Sequence, residues 1–445
     1  MENQMFKGGA AMKNRWTLHV EDFGSIRSAD IEVAPMMLFV GENNTGKSYL
    51  ASLLWGILEI WDRLFDRISV TTNKKYKRCE ELMIEYFNAA KSDVNKKIKL
   101  EQDIIDAEIE WFNEILNNEK DNLVQRIFSH KEIKVGKIFF KNAVYANPLF
   151  IKKVEDSEAY QFDCEHDGIS HLVCYGVNNP ETLFLVMKDL IPEILAWRNN
   201  SLYLPASRTG FMLSYKSLAA ELFNLFGIDK REVPTTFTVP IIRFLQRLMK
   251  AEMSPEAPFA DIAESLEKQV LKGKIIQNSQ TQSFYYAPES NLASLMPLHI
   301  TSSLVTELAP LIIFLRDKLT FDSLVFEEPE SHLHLEAQRI LAKHLVKLVN
   351  RGVPVWMTTH SDTMFQQFNN LIGSTENRIR KLKNLSYQDD EIIKPEDIKA
   401  YQFNLAEDGK TDVVPLKLTD DGFSASNFNH TLWNLSKESM SLEAD

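Results

Sequence analysis

Fully apolar runs and helical periodicities alternate along this chain in an order that predicts an α/β fold. MMLFV (36–40) has no polar position, as expected of a strand buried on both faces. SLVFEEPE (323–330) and VPVWMTTHS (353–361) have the same character, each ending in polar residues, and SLYLPA (201–206) ends in the loop Ser207-Arg208-Thr209-Gly210. WTLHVEDF and SADIEV flank Gly24-Ser25 and predict an antiparallel hairpin. Helical spacing of apolar residues marks YLASLLWGILEIWDRLF (49–65), DIIDAEIEWFNEILNNEKDNLVQRIF (103–128), 181–198, much of 214–272, 302–318 and HLEAQRILAKHLVKLVNR (334–351). IKVGKIFFKNAVY and HLVCYGV make 131–176 β-rich, and GKIIQNSQTQSFYYAP (273–288) reads as a hairpin. The stretch 376–445 carries the short strands IKAYQFN and DVVPLKL and ends in a helix, FNHTLWNLSKES.

Composition narrows this picture. Of 445 residues, 44% are hydrophobic and 25% charged, which is ordinary globular usage. The net charge of −12 argues against coating nucleic acid through bulk charge and leaves direct nucleic-acid contact open. Cys79, Cys164 and Cys174 form no CxxC pair and read as reduced thiols. The N-terminus lacks a signal-peptide core, and no apolar run has the length of a membrane span. The expectation is a cytoplasmic protein with no membrane partner.

Three motifs carry chemistry. Gly41-Glu42-Asn43-Asn44-Thr45-Gly46-Lys47-Ser48 satisfies GxxxxGK[ST] and lies between an apolar strand and a helix. In that context the backbone N–H groups and the helix N-terminus cradle phosphates. Lys47 would reach the β- and γ-phosphates, and Ser48 would ligate Mg²⁺. Asn43, Asn44, Thr45, Gly46 and Tyr49 complete the expected nucleotide-binding set. Glu327 and Glu328, after an apolar strand, have the form of a Walker B pair: Glu327 for the Mg²⁺ shell, Glu328 as the base for the attacking water. Glu330 reads as a surface acid at a helix start. His360, at the end of the third apolar strand, is placed to contact a γ-phosphate and orient water.

This order of motifs resembles the ABC-class ATPases, in particular their SMC-like branch that includes the OLD (overcoming lysogenization defect) ATPases. FGSIRSADIEV and the phosphate loop resemble the N-terminal half of that branch. EEPESHLHLEAQ resembles its Walker B and D-loop, with His334 in place of the usual aspartate, and TTHS resembles its switch histidine. The glycine-rich signature is absent. Ile300–Leu308 (ITSSLVTEL) resembles the SSxxxEL form of OLD-like ATPases, which would make Ser302 and Ser303 the residues offered in trans to a second subunit's nucleotide. LPASRTG (204–210) also resembles a segment of this family, without an assigned role, and no Q-loop is placed.

The resemblance implies an ABC-type P-loop ATPase head, a mixed sheet with antiparallel N-terminal strands, carrying an inserted, mostly helical arm. The expected organisation is 1–71 for the first part of the head, 72–200 for the insertion, 201–375 for the second part and 376–445 for an extension completing it. The implied cofactors are ATP and Mg²⁺. The implied partners are a homodimer or higher homo-oligomer through head-to-tail ATPase domains, a separate effector such as a Toprim nuclease, and a phage-encoded trigger. Residues 361–445 contain no glutamate-plus-DxD cluster of the kind a Toprim module uses; Asp389-Asp390 and Asp420-Asp421 read as loop acids. Size and layout are similar to the ATPase subunits of PARIS anti-phage systems. The competing readings are an SMC-like DNA-repair or DNA-tethering ATPase and a self-sufficient OLD-like nuclease.

Overall fold

A computed structural model of the chain describes residues 15–65, 74–92, 97–144, 149–155, 157, 159–164, 170–175, 177, 179–195, 200–228, 237–420, 422–424 and 436–442. Its centre is a nine-stranded mixed sheet in the order 135–144, 15–23, 26–32, 411–415, 398–405, 36–41, 355–359, 323–327, 201–204. The last five of these strands run parallel. The outer part is mostly antiparallel, beginning with the hairpin Arg15–Phe23 and Ile26–Glu32.

Side-chain alternation explains the uninterrupted apolar runs. Met37 and Phe39 join Val325, Trp356, Tyr401 and Phe403 in a core on one face of the sheet. Met36, Leu38 and Val40 join Leu324, Phe326, Val355 and Met357 on the other. A strand covered on both faces needs apolar residues at every position, so no polar alternation is visible. The first face is covered by helices Lys47–Ile60 and Gln102–Phe128, the second by Ser303–Leu315, Leu335–Asn350 and Asp362–Leu371.

The segment expected as an insertion divides. Helices Lys74–Ser92 and Gln102–Phe128 and a four-stranded sheet of 98–99, 149–153, 159–164 and 170–175 are additional to the main sheet. Strand Val135–Val144, placed within the insertion by sequence, instead pairs antiparallel with Arg15–Phe23 as the outer strand of the main sheet. The expected extension contributes strands Ile398–Leu405 and Thr411–Pro415, beside the phosphate-loop strand and the hairpin respectively. The expected loop 207–210 is largely helical, because helix Arg208–Ile228 begins within it. The terminal helix expected at 428–439 lies mainly outside the described residues, of which 436–442 are helical.

Gly56 sets how closely helix Gln102–Phe128 approaches the phosphate-loop helix Lys47–Ile60. A Cβ there would overlap the Ile127 side chain on helix Gln102–Phe128. Gly56→Val is therefore expected to cost about 1–3 kcal/mol through overpacking, read as a lower urea midpoint.

Candidate functional site

The sheet order places the strand Val355–Thr359 between Met36–Gly41 and Ser323–Glu327, so the C-terminal ends of all three open on one side. The loop after Gly41 turns sharply. Asn44 and Gly46 adopt positive φ, 61° and 89°, and a Cβ on Gly46 would come 2.9 Å from the Ile26 side chain. Glycine is required there on both counts. The Thr45 hydroxyl donates to the Glu42 carbonyl at 2.8 Å and closes the loop. Helix Lys47–Ile60 starts with no side-chain cap and no acid in its first turn, which leaves its N-terminal N–H groups suited to an anion.

Lys47 is buried. Its ammonium donates to the Gly41 carbonyl at 3.0 Å, to the Glu42 carbonyl and to Thr45 Oγ1 at 3.2 Å. Burial pulls its pKa down to about 8, although Glu328, Glu330 and Glu42 favour the charged form. A phosphate entering the loop would take over donors now folded back on the loop itself. Asn43, Asn44 and Ser48 are exposed around it. Tyr49 is partly exposed but stacks on Phe128, with ring centres 4.9 Å apart, and also meets Phe23. Its ring joins the loop helix to the N-terminal hairpin and helix Gln102–Phe128.

Glu327 is buried, and burial raises its pKa. Ala206 N–H donates to its carboxylate at 3.2 Å, and the neighbouring Ser48 and Tyr203 side chains oppose the rise. Tyr203 also bonds Ser52 on the loop helix at 2.8 Å. The expected metal-side pair, Ser48 and Glu327, thus lies side by side, and its oxygen donors have the hard character Mg²⁺ takes. Glu328 is half-exposed. One carboxylate oxygen lies 3.5 Å from His360 Nε2, and the other accepts from Ser331 Oγ at 3.4 Å. The bond with the His360 imidazole is the main influence holding this carboxyl below its usual range. The Glu328 backbone sits at φ 41°, a strained conformation for a side chain of this kind.

Glu330 departs from the surface role read from sequence. Its Oε1 accepts the His360 backbone N–H at 2.6 Å, and its Oε2 is buried without a hydrogen-bond partner. Burial pushes its carboxyl upward. The following helix starts only at Leu335, so Glu330 belongs to the turn that holds the His360 backbone.

The structure brings Lys47, Ser48, Glu327, Glu328 and His360 together around one opening. Ser302 and Ser303 stand apart from this cluster in hydrogen-bonding terms. They are exposed at the start of helix Ser303–Leu315, and Ser302 makes no side-chain cap bond. What connects that helix to the site is a residue to which the sequence assigned no role. Arg208 has no exposed surface and forms a 2.6 Å ion pair with Glu307, itself buried. Its guanidinium also donates to the carbonyls of Pro205, Glu327 and Glu328 and lies over the Phe326 ring. The sequence signal was present: an acid set in the apolar helix run ITSSLVTELAPLIIFL and an arginine directly after a buried strand.

A glycine-bearing phosphate loop, an acid pair on a strand two places away and a histidine on the strand between them define a P-loop nucleotide-binding ATPase. Residues 16–202 and 213–365 match the family model described as "AAA ATPase domain". The chain belongs to that family, and it is an ATPase of the AAA type. No curated protein matches it. Among solved structures, it is similar to the SMC head domain from Thermotoga maritima, with 12% identity, 91% of this chain and 99% of that chain covered, and a TM-score of 0.34. An Smc head with an extended coiled coil, bound to the C-terminal domain of ScpA derived from Pyrococcus furiosus, aligns at 14% identity over 91% and 97% of the two chains, TM-score 0.38. A SmcHead bound to the C-winged helix domain of ScpA aligns at 14% identity over 90% and 97%, TM-score 0.37. The family match, not these distant similarities, defines the class.

Proposed function

We propose that the chain binds and hydrolyses ATP with Mg²⁺ at composite sites between two head-to-tail copies, and that this cycle holds and releases a separate effector protein in bacterial anti-phage defence. The observation that carries the reading is the placement of Lys47, Ser48, Glu327, Glu328 and His360 on three adjacent strand ends, while Ser302 and Ser303 are exposed elsewhere on the same chain. Lys47 and the loop N–H groups would hold the β- and γ-phosphates. Ser48 and Glu327 would hold the Mg²⁺, which when bound supplies charge to the phosphate oxygens. Glu328, kept ionised beside His360, would accept the proton of the attacking water. Ser302 and Ser303 would face the nucleotide of the other copy.

The effector part of the reading is supported by surface the nucleotide chemistry does not use: the helix Lys74–Ser92 and the four-stranded sheet beside it. The net charge of −12 disfavours a large phosphate-backbone footprint. Among the described residues, no helix is long and apolar enough to cross a membrane, and the working compartment is taken as the cytoplasm. The effector is taken as a nuclease, with a Toprim type the expected chemistry, freed by a phage-encoded trigger that binds one state of the assembly better than the other.

The test has two arms. Mixing Lys47→Met with Ser302→Arg chains, each inactive alone, should recover part of the hydrolysis, since one composite site of a mixed dimer is intact; no recovery removes the head-to-tail arrangement. Phage challenge of cells expressing this chain alone or with its operon neighbour should show protection only for the pair, and protection by this chain alone would remove the effector reading.

A further inference from the structure

Arg208 and Glu307 form a buried connection between two parts of the site that are far apart in sequence. Glu307 lies one helical turn beyond Ser303 on the helix Ser303–Leu315, so any shift of that helix N-terminus is carried directly to its carboxylate. One carboxylate oxygen faces Arg208 at 2.6 Å. The other accepts from Thr209 N–H at 3.2 Å and from Thr209 Oγ1 at 2.7 Å, which fixes its plane. Arg208 Nη1 donates to the carbonyl of Glu327, and Nη2, the nitrogen that faces Glu307, donates to the carbonyl of Glu328 at 2.8 Å.

Glu328 needs such support. Its φ of 41° persists only if neighbouring bonds over-determine the peptide. Its N–H is held by Thr358, to the carbonyl at 3.1 Å and to Oγ1 at 3.2 Å. Its carbonyl accepts from Ser331 N–H at 3.1 Å as well as from Arg208. The guanidinium therefore supports both peptides that aim the two acids, with the planar fork that a lysine ammonium lacks.

We propose that Arg208 is a positioning residue that couples the seating of helix Ser303–Leu315, through Glu307, to the orientation of Glu328. This deepens the ATPase reading above and rests on it. When a second copy's nucleotide engages Ser302 and Ser303, the helix position is set, Glu307 holds Arg208, and the Glu328 carboxylate is aimed for hydrolysis. Arg208 has no exposed surface from which to meet the nucleotide. It acts through the backbone of Glu328.

The experiment uses the purified full chain and compares ATP affinity, kcat, KM and thermal melting for Arg208→Lys, Glu307→Gln and the double variant. Arg208→Lys keeps the charge opposite Glu307 but cannot reach the carboxylate and both carbonyls at once. The expected result is kcat lower by about tenfold or more, with ATP affinity and KM within about threefold of wild type. The double variant should lose no more than the larger single loss, because residues acting as one unit are not additive. An unchanged kcat, losses that multiply in the double variant, or a loss of affinity and rise in KM in step with the fall in kcat would each overturn the proposal. Loss of the cooperative melting transition in both single variants would assign the pair to stability alone and also overturn it. The parent reading fails separately: hydrolysis by the wild-type sequence that survives Lys47→Met removes the ATPase assignment whatever Arg208→Lys does.

Discussion

Lys47→Met abolishes measurable ATP turnover while making the nucleotide-free chain more stable at neutral pH. The first half follows from the proposed role of Lys47 as the cation that meets the β- and γ-phosphates; deleting one preorganised electrostatic donor costs on the order of 10²–10³-fold. The second half follows from its burial. The folded chain releases the Lys47 proton at about pH 8, well below the ordinary value of 10.5. Between those values the unfolded chain binds more protons, so stability rises with pH across that window. Below pH 8 the cost of the buried ammonium is fully present, up to ~3 kcal/mol for a depression of this size. Methionine fills the same space without a charge, although the bonds to Gly41, Glu42 and Thr45 are lost. Urea unfolding at pH 7 and pH 10 is the check: the variant should gain about 1–2 kcal/mol at pH 7 and less at pH 10. A variant less stable than wild type at pH 7 would show that the ammonium's own bonds outweigh its burial.

Glu328→Gln binds ATP and hydrolyses it about 10²–10⁴-fold more slowly. Glutamine keeps the shape of the side chain and can still face His360 and Ser331, but it cannot take a proton. In the wild-type chain, the neighbouring imidazole holds the Glu328 carboxyl below its usual range, so the proposed base is ionised throughout the neutral region. Protonation of Glu328 should therefore reduce the wild-type rate only at acid pH, below the ordinary glutamate value of 4.5. Single-turnover hydrolysis over a pH series, with binding measured in parallel, separates this from loss of affinity. Normal turnover by Glu328→Gln would move the base to another group, with His360 the nearest to hand.

Much of this site could be read from the chain because its parts are local. The phosphate loop is eight contiguous residues, and the turn from strand to helix needs glycine at fixed places whatever surrounds it. The acid pair and His360 each end a strand whose apolar run was unmistakable. The parallel part of the fold was legible for the same reason: strands covered on both faces have no polar positions to confuse them with helices.

Other features depended on neighbours far away in sequence. Strand Val135–Val144 has the same local character whether it lies in an insertion or on the main sheet; pairing with Arg15–Phe23 settled which. Glu330 has the composition of a surface acid, and its burial arises because the turn after Glu328 folds under the His360 backbone. Tyr49 was read as part of the nucleotide set, and its ring is engaged by Phe128 from a helix nearly eighty positions on. Arg208 and Glu307 take their meaning from each other, and neither is informative alone. The chain spelled out the chemistry that one short backbone segment can hold. The fold supplied what depends on strand order and on the burial of charge, because desolvation and ion pairing are set by groups that long-range packing brings together.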